Sequence, residues 1–543
     1  EHHGLDVQGT LRALARNVAA GSVQQGGSTL TQQLVKQTLL QTAQTPEERQ
    51  AATEESVGRK LREARLALAL EESYSKDEIV TRYLNTVYFG EGAYGIQAAA
   101  QRYFSVNAAD LSLPQAAMLA GLVQSPTNDD PLTNPQYARA RRNEVLTRMH
   151  DLGHISDQQL AEATATPIGI IEGPAPPNGC VDAVVGGFFC AYLQHYLTDT
   201  LHIGQDLLDT GGLTIQTTLH PDMQAAGDQA VLHTLPLGDP LAGLYTAVEP
   251  GTGHILAMSV NRRYGCEQPA CESVVLNAAP SAGSGSTYKV FTAAAALEHG
   301  YPADYPITTS NPYVSTVYKQ GNGPYVVSAF AAADKPTLTL EQALYMSSNT
   351  YFVAMEDRLG SVAGPVRIAE RMGMHFDRPT QVPADTIIAH EYGSFTLGAE
   401  ATSPLDLASA YATLAAAGTR CDPTPVTGIL DSAGRPLADQ HGRPVVSEDS
   451  CRPNAIPRGV ATTLAQIMRK DVEPTYPGQT GVAAYVPGHE IAGKTGTAQD
   501  NFSVAFAGFT PRYSASVMIY NPKRHQDVGG AGSGRAAQIW HDA

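Results

Sequence analysis

No stretch of the 543-residue sequence approaches the run of about 20 apolar residues that a membrane-spanning helix needs. The segment from Leu66 to Leu70 is apolar but short, and Arg65 and Glu71 flank it. The sequence as it stands therefore reads as carrying neither a span nor a signal peptide. Positive charge is also in deficit: 36 Lys and Arg against 53 Asp and Glu leave a formal net charge of −17. That argues against a nucleic-acid partner, because phosphate tracking calls for a basic footprint, although a local basic pocket stays open. Lysine is the scarcer of the two cations, nine of the 36, so a lysine inside a catalytic-looking pattern stands out from background. There is no CxxC pair and no Cys/His cluster, hence no sign of zinc or of any other metal site.

What is present fits a turn-rich globular protein, with 43% hydrophobic residues, 50 Gly and 35 Pro. The length exceeds what one ordinary core supports, so two or three domains are expected. Six cysteines fall into local couples, Cys180/Cys190, Cys266/Cys271 and Cys421/Cys451. The count leaves their connectivity open, and buried free thiols are the alternative to disulfides.

Residues 1 to about 160 read as helical, with apolar positions at helical spacing from Leu61 through Ile79 to Leu84 and few strand signals. A breaker cluster from Pro167 through Gly173, Pro174, Pro176, Pro177 and Gly179 suits a linker. From Leu244 to Val260 the pattern is strand, turn, strand, and Ser503–Phe509 and Ser514–Tyr520 read as late strands of the same sheet. Helix-like runs lie between them at Val290–His299, Leu340–Leu359 and Leu405–Ala417. No internal repeat is apparent.

Ser286-Thr287-Tyr288-Lys289 is an SxxK tetrad at the start of an Ala-rich helical run. At i and i+3 the hydroxyl and the amine share a face, and a desolvated lysine can shed its charge and take the serine proton. A second tetrad, Ser73-Tyr74-Ser75-Lys76, lies in a charged helical stretch and reads as a solvated face. The first is distinguished by its company in order: Ser347-Ser348-Asn349 (SxN), then Lys494-Thr495-Gly496 (KTG), followed by Thr497. Other SxN triplets, at Ser105 and Ser259, precede Ser286.

These three motifs resemble those of penicillin-binding transpeptidases and serine β-lactamases, over roughly residues 241–543. The resemblance implies a central antiparallel sheet flanked by helices and a covalent acyl-enzyme on Ser286. It makes Lys289 the general base, Ser347 a proton shuttle, and Asn349 a partner of Lys289 and of the substrate amide. Lys494 would supply positive charge that keeps Lys289 easier to deprotonate, while Thr495 and Thr497, beside Gly496, bind a terminal carboxylate. Backbone N–H groups of Ser286 and Thr497 would form the oxyanion hole, a type of donor contributing roughly 3 to 4 kcal/mol.

In the first half, Gly26-Gly27-Ser28-Thr29-Leu30-Thr31-Gln32-Gln33-Leu34-Val35-Lys36 pairs a flexible loop with clustered hydroxyls and amides, a cradle for a phosphorylated, sugar-bearing ligand or simply a capped helix start. Arg59-Lys60-Leu61-Arg62-Glu63 sets Glu63 on the face of Arg59, which by itself is an ordinary salt-bridged surface. The string Tyr83-Leu84-Asn85-Thr86-Val87-Tyr88-Phe89-Gly90-Glu91-Gly92-Ala93-Tyr94-Gly95-Ile96-Gln97-Ala98-Ala99-Ala100 follows, then Leu119-Ala120-Gly121-Leu122. Together these resemble the lysozyme-like helical domain of glycosyltransferase family 51 in class A, bifunctional penicillin-binding proteins, over about residues 1–150. By position, Ser28, Gln33, Lys36, Arg59 and Lys60 would contact donor pyrophosphate and sugars, and Glu63 would be the second catalytic carboxylate. Glu1-His2-His3-Gly4-Leu5-Asp6 matches only the later part of the family's first motif. That implies a catalytic Glu and a membrane anchor upstream of residue 1, and impaired glycan polymerisation without them.

The expected organisation is a glycosyltransferase domain at 1–160, a short linker domain at 161–240 and a transpeptidase domain at 241–543. Implied partners are lipid II and nascent peptidoglycan, stem peptides ending in D-Ala-D-Ala, β-lactams, and the outer face of a bacterial cytoplasmic membrane. That location favours disulfides. Transpeptidation implies no cofactor, and a divalent cation for the glycosyltransferase is left open without a motif for one. The scarcity of lysine relative to arginine hints at an actinobacterial source. A D,D-carboxypeptidase or β-lactamase would use the same three motifs but not the amino-terminal strings; a catalytically idle β-lactam sensor or scaffold is the reading from another class.

Overall fold

Serine residues placed one position ahead of apolar-periodic runs start four of the seven α-helices described in the amino-terminal unit. The computed structural model describes residues 4–6, 27–41, 51–52, 54, 56–173, 179–265, 270–329, 336–439, 441–446 and 450–543. These divide into two compact units, Glu1–Pro177 and Asn178–Ala543. In the first, helices α1 (Leu30–Gln41), α2 (Val57–Ser73), α3 (Lys76–Thr86), α4 (Ile96–Phe104), α5 (Leu113–Leu122), α6 (Pro135–Asp151) and α7 (Asp157–Ala165) follow one another. Ser56 accepts from the Arg59 N–H, and capping boxes pair Ser75 with Glu78, Ser112 with Gln115 and Ser156 with Gln159. Each such cap contributes about 1 kcal/mol. The core gathers Leu34, Ile79, Tyr83, Phe89, Tyr103, Phe104, Met118 and Leu119. The second SxxK tetrad straddles a helix end and a helix start: Ser73 donates to the Ala69 carbonyl, Ser75 caps α3, and Lys76 pairs with Glu71 at 2.6 Å.

Past its opening helices at Gly187–His195 and Gln205–Thr210, the second unit continues with β1 (Thr214–Thr217) and α8 (Pro221–Thr234), then β2 (Ala242–Val248) and β3 (Ile255–Val260). Helices α9 (Lys289–Glu298), α10 (Leu340–Tyr345), α11 (Asn349–Leu359) and α12 (Pro404–Ala415) follow, then β4 (Val426–Leu430) and α13 (Arg458–Val472). The chain closes with β5 (Ala492–Thr497), β6 (Ser503–Phe509), β7 (Ser514–Tyr520) and α14 (Arg535–Asp542). The sheet runs β5-β6-β7-β2-β3, antiparallel throughout. Every residue of β2, β6 and β7 is buried, because both faces are covered. Tyr245, Phe506, Val517 and Ile519 meet α8 and α14, where the Trp540 indole donates to the Ala515 carbonyl at 3.1 Å. The opposite face packs on the larger core built by α9 to α13, with Phe291, Phe352, Leu407, Tyr411 and Leu464 fully enclosed.

The stretch 161–240 is shared between the units. Ile171 and Gly173 donate backbone bonds to Tyr103 and Arg102 in the first. In the second, β1 pairs antiparallel with β4, and Gln224 of α8 bonds the Met258 backbone at 2.8 Å. Two of the anticipated cysteine couples are disulfides, Cys180–Cys190 and Cys421–Cys451; Cys266 of the third lies outside the described residues.

Two expectations are corrected. The run 340–359 is not one helix: it breaks between α10 and α11, where Ser347 adopts the left-handed region (φ 60°). A short internal repeat also exists. Asp431 accepts from Ala433 N and Arg435 N, each at 2.9 Å, and is clasped by the Arg435 side chain at 2.8 Å. Asp439 does the same with His441 N (2.8 Å), Arg443 N (3.0 Å) and the Arg443 side chain (2.9 Å). The two turns stack, Leu437 N donating to Ile429 O and Val445 N to Leu437 O. The sequence carries the repetition as well, both copies reading Asp-x-x-Gly-Arg-Pro and then an apolar residue, from Asp431 to Leu437 and from Asp439 to Val445.

Candidate active site

Ser286 sits in the 3-10 turn Gly285–Tyr288 that feeds α9. That turn abuts the end of β5 so closely that a side chain at either contact glycine is excluded. A Cβ on Gly285, itself left-handed at φ 62°, would lie 2.4 Å from Thr497 N, and one on Gly496 would lie 1.9 Å from Ser284 O. The backbones of Ser286 and Thr497 thereby meet at one place. Below them the turn is pinned by the Tyr411 hydroxyl, which donates to Thr287 O at 2.9 Å, and by the Tyr288–Thr402 hydroxyl pair at 2.9 Å.

Lys289, fully buried at the first turn of α9, directs Nζ to Ser286 Oγ (2.9 Å), Asn349 Oδ1 (2.7 Å), the Ser347 carbonyl (2.5 Å) and Ser347 Oγ (3.3 Å). The helix break explains this convergence. The left-handed Ser347 turns its carbonyl onto the amine, Ser348 caps α11, and Asn349 is the first residue of that helix. Asn349 Nδ2 reaches Ser328 O at 3.3 Å, tying the 328 segment to the same cluster.

Lys494 and Gly496 lie on one side of β5, Thr495 and Thr497 on the other, as strand alternation requires. The Lys494 amine bonds Thr495 O at 3.1 Å and lies 3.7 Å from Asp471, near the end of α13. Both are buried: burial pushes the amine down from its usual range against the pull of Asp471, and pushes the Asp471 carboxyl up against the pull of Lys494. Thr495 Oγ1 meets Thr480 Oγ1 at 2.5 Å, and Thr497 Oγ1 accepts from Gly532 N at 3.2 Å. Ser286, Asn349, Tyr325, Thr497 and His525 line one groove of about 1070 Å³. The second unit therefore brings Ser286, Lys289, Ser347 and Asn349 into one hydrogen-bonded cluster, with Thr497 of β5 lining the same groove as Ser286 and Asn349. Sequence reasoning missed Asp471, Thr480 and Ser328, which carry no motif and join the site only through packing.

In the first unit, Glu63 is enclosed between Arg59 and Lys60 of its own helix, the latter at 2.9 Å, and Lys60 also donates to Ser28 Oγ at 3.1 Å. Gln33 is held apart from them, accepting from the Tyr83 hydroxyl at 3.0 Å, and Lys36 is half-buried farther along α1. Glu1 to His3 lie outside the described residues. Among the described residues no helix is long and apolar enough to cross a membrane, and no cluster of three His, Cys, Asp or Glu is placed to hold a metal.

A helical unit followed by one in which SxxK and SxN converge on a single amine, with KTG on the edge strand of a five-stranded antiparallel sheet, has known counterparts. Residues 1–150 match the transglycosylase family, residues 243–542 match the penicillin binding protein transpeptidase domain, and the chain belongs to the penicillin-binding protein family. It is 30% identical over 574 residues to penicillin-binding protein 1A of Mycobacterium tuberculosis, covering 99% of this chain and 63% of that protein. It is likewise 30% identical over 586 residues to penicillin-binding protein 1A of Streptococcus pneumoniae, covering 99% and 73%. The fold is that of penicillin-binding protein 1A from Haemophilus influenzae, with a TM-score of 0.65 at 17% identity over 94% of this chain and 87% of that one. The chain thus spans under two thirds of the length of its mycobacterial relatives, 63% and 62%.

Proposed function

We propose that this chain is the synthetic part of a bifunctional peptidoglycan synthase, cross-linking stem peptides in its second unit and polymerising lipid II with its first. The supporting observation is the buried Lys289 amine 2.9 Å from Ser286 Oγ, with Ser347 and Asn349 completing the amine's shell and Ser286 and Asn349 lining a common groove. In the proposed cycle Lys289 takes the Ser286 proton as Oγ attacks the penultimate D-Ala carbonyl, and the oxyanion rests on the Ser286 and Thr497 N–H groups. Ser347 passes the proton to the departing D-Ala amine, leaving an acyl-enzyme. An acceptor amine then attacks that ester, its proton returning to Ser286 by the reverse route. Lys494 and the Thr497 hydroxyl bind the substrate's terminal carboxylate, with Thr495 placed against the Lys494 amine, and β-lactams, which share that carboxylate, acylate the same serine.

In the first unit Glu63, ion-paired with Arg59 and Lys60, assists glycosyl transfer, while Ser28, Gln33, Lys36, Arg59 and Lys60 bind donor pyrophosphate and sugar. Such substrates place the protein at the outer face of the bacterial cytoplasmic membrane. A dedicated hydrolase or idle sensor does not account for a transglycosylase match over residues 1–150. Intact mass after penicillin treatment tests the reading: wild type gains one penicilloyl adduct, Ser286→Ala gains none. An adduct on the variant overturns it.

A further inference from the structure

We propose that Asp471 is a positioning residue for the carboxylate-binding end of the acyl-transfer site, acting on Lys494 by charge and on Thr495 through the hydroxyl of Thr480. The proposal rests on the acyl-transfer reading above. Asp471 is completely buried near the end of α13. One of its oxygens accepts from Thr480 N (2.6 Å), Gly481 N (3.0 Å) and Thr480 Oγ1 (2.9 Å); the other lies 3.2 Å from Thr480 Oγ1 and 3.7 Å from Lys494 Nζ. Fixing a turn does not require a buried charge, since a neutral amide oxygen satisfies two backbone N–H groups without the desolvation of a carboxylate. The carboxylate has two further effects that an amide lacks.

The first is on Lys494: a carboxylate facing it favours the ammonium form against the burial that disfavours it. The second runs through hydroxyls, each of which has a single proton to donate. With Asp471 ionised, the Thr480 proton goes to the carboxylate. The 2.5 Å contact between Thr480 and Thr495 must then use the Thr495 proton. The Thr495 hydroxyl is thereby held in one orientation, with a lone pair toward Lys494 Nζ, 3.3 Å away. Asparagine at 471 keeps the backbone acceptor, removes the charge, and offers an N–H toward Thr480 that reverses the direction of the hydroxyl chain.

The test compares second-order acylation rates for benzylpenicillin and for its methyl ester, which presents no carboxylate, with thermal midpoints measured alongside. Asp471→Asn is expected to lower the rate with the acid by about tenfold while changing the ester rate less than about twofold. Thr480→Val, which keeps the turn and cuts the chain, lowers the acid-to-ester ratio by a smaller factor, and Thr480→Ser restores it. Equal losses with acid and ester, or an unchanged ratio in both variants, overturn the role of Asp471 alone. If Asp471→Asn fails to fold, the Thr480 pair decides by the same ratio. Wild type that takes no label at Ser286 overturns the acyl-transfer reading, and this one with it.

Discussion

The two units assemble their charged groups in opposite ways. In the first, Glu63, Arg59 and Lys60 belong to one helix, and the carboxylate meets both cations within about a single turn. In the second, Lys289 is met by residues from the SxN segment, and Lys494 by Asp471 from another helix, so each cation depends on separate elements docking correctly. A locally paired site survives small shifts in packing; a site assembled across elements is as good as the joints that hold it.

The sharpest way to break this comparison is Ser286→Ala, which is expected to abolish penicillin labelling while leaving the thermal midpoints of both units unchanged. Lys289→Met should lower the acylation rate by about a thousandfold, within the usual range for losing a general base, measured by stopped reactions with a fluorescent penicillin. Gly285→Ala tests the joint itself. With a Cβ aimed at Thr497 N and a left-handed backbone, it should destabilise the second unit by about 2 kcal/mol or more and lower acylation, read by denaturation and labelling together. Glu63→Gln should cost the first unit about 1–2 kcal/mol, at the low end because Lys60 is half-exposed, and leave labelling of the second unit untouched.

The smallest effect concerns Glu356, fully buried two turns beyond Asn349 and 3.4 Å from the Thr292 hydroxyl. Burial raises its carboxyl pKa well above the ordinary range. The folded state therefore binds a proton that the unfolded state has released, so the stability this group contributes is fully present below the ordinary glutamate pKa. It is lost as pH rises toward the folded value. Glu356→Gln should match wild type near pH 4 and become relatively more stable as pH rises, followed as the difference in thermal midpoint from pH 4 to 9.

Much of this was legible in the sequence. The Ser286–Lys289 spacing gives a shared face by helical geometry alone, motif order selected Ser347 from competing SxN triplets, and Lys494 stood in the one KTG of the sequence. The sheet strands were legible because Ser503–Phe509 and Ser514–Tyr520 are apolar runs separated by a turn. What stayed hidden depends on tertiary placement. Asp471 is an ordinary aspartate near a helix end until α13 packs on β5, and Thr480 matters only because its neighbour in space is Thr495. The 340–359 run was read as one helix because its composition favours helix throughout, whereas the break is imposed by the left-handed Ser347. The paired turns at Asp431 and Asp439 were missed although their Asp-x-x-Gly-Arg-Pro sequence repeats, because two such short copies lack the length of the periods that mark repeat architectures.

That left-handed serine narrows the residue alphabet at its position. Branched side chains are strained at φ 60°, which disfavours threonine although it would keep a hydroxyl. Glycine and asparagine tolerate the backbone but bring no hydroxyl. Serine is where the two requirements overlap, so replacements at 347 should fail for conformational or chemical reasons that can be told apart one substitution at a time.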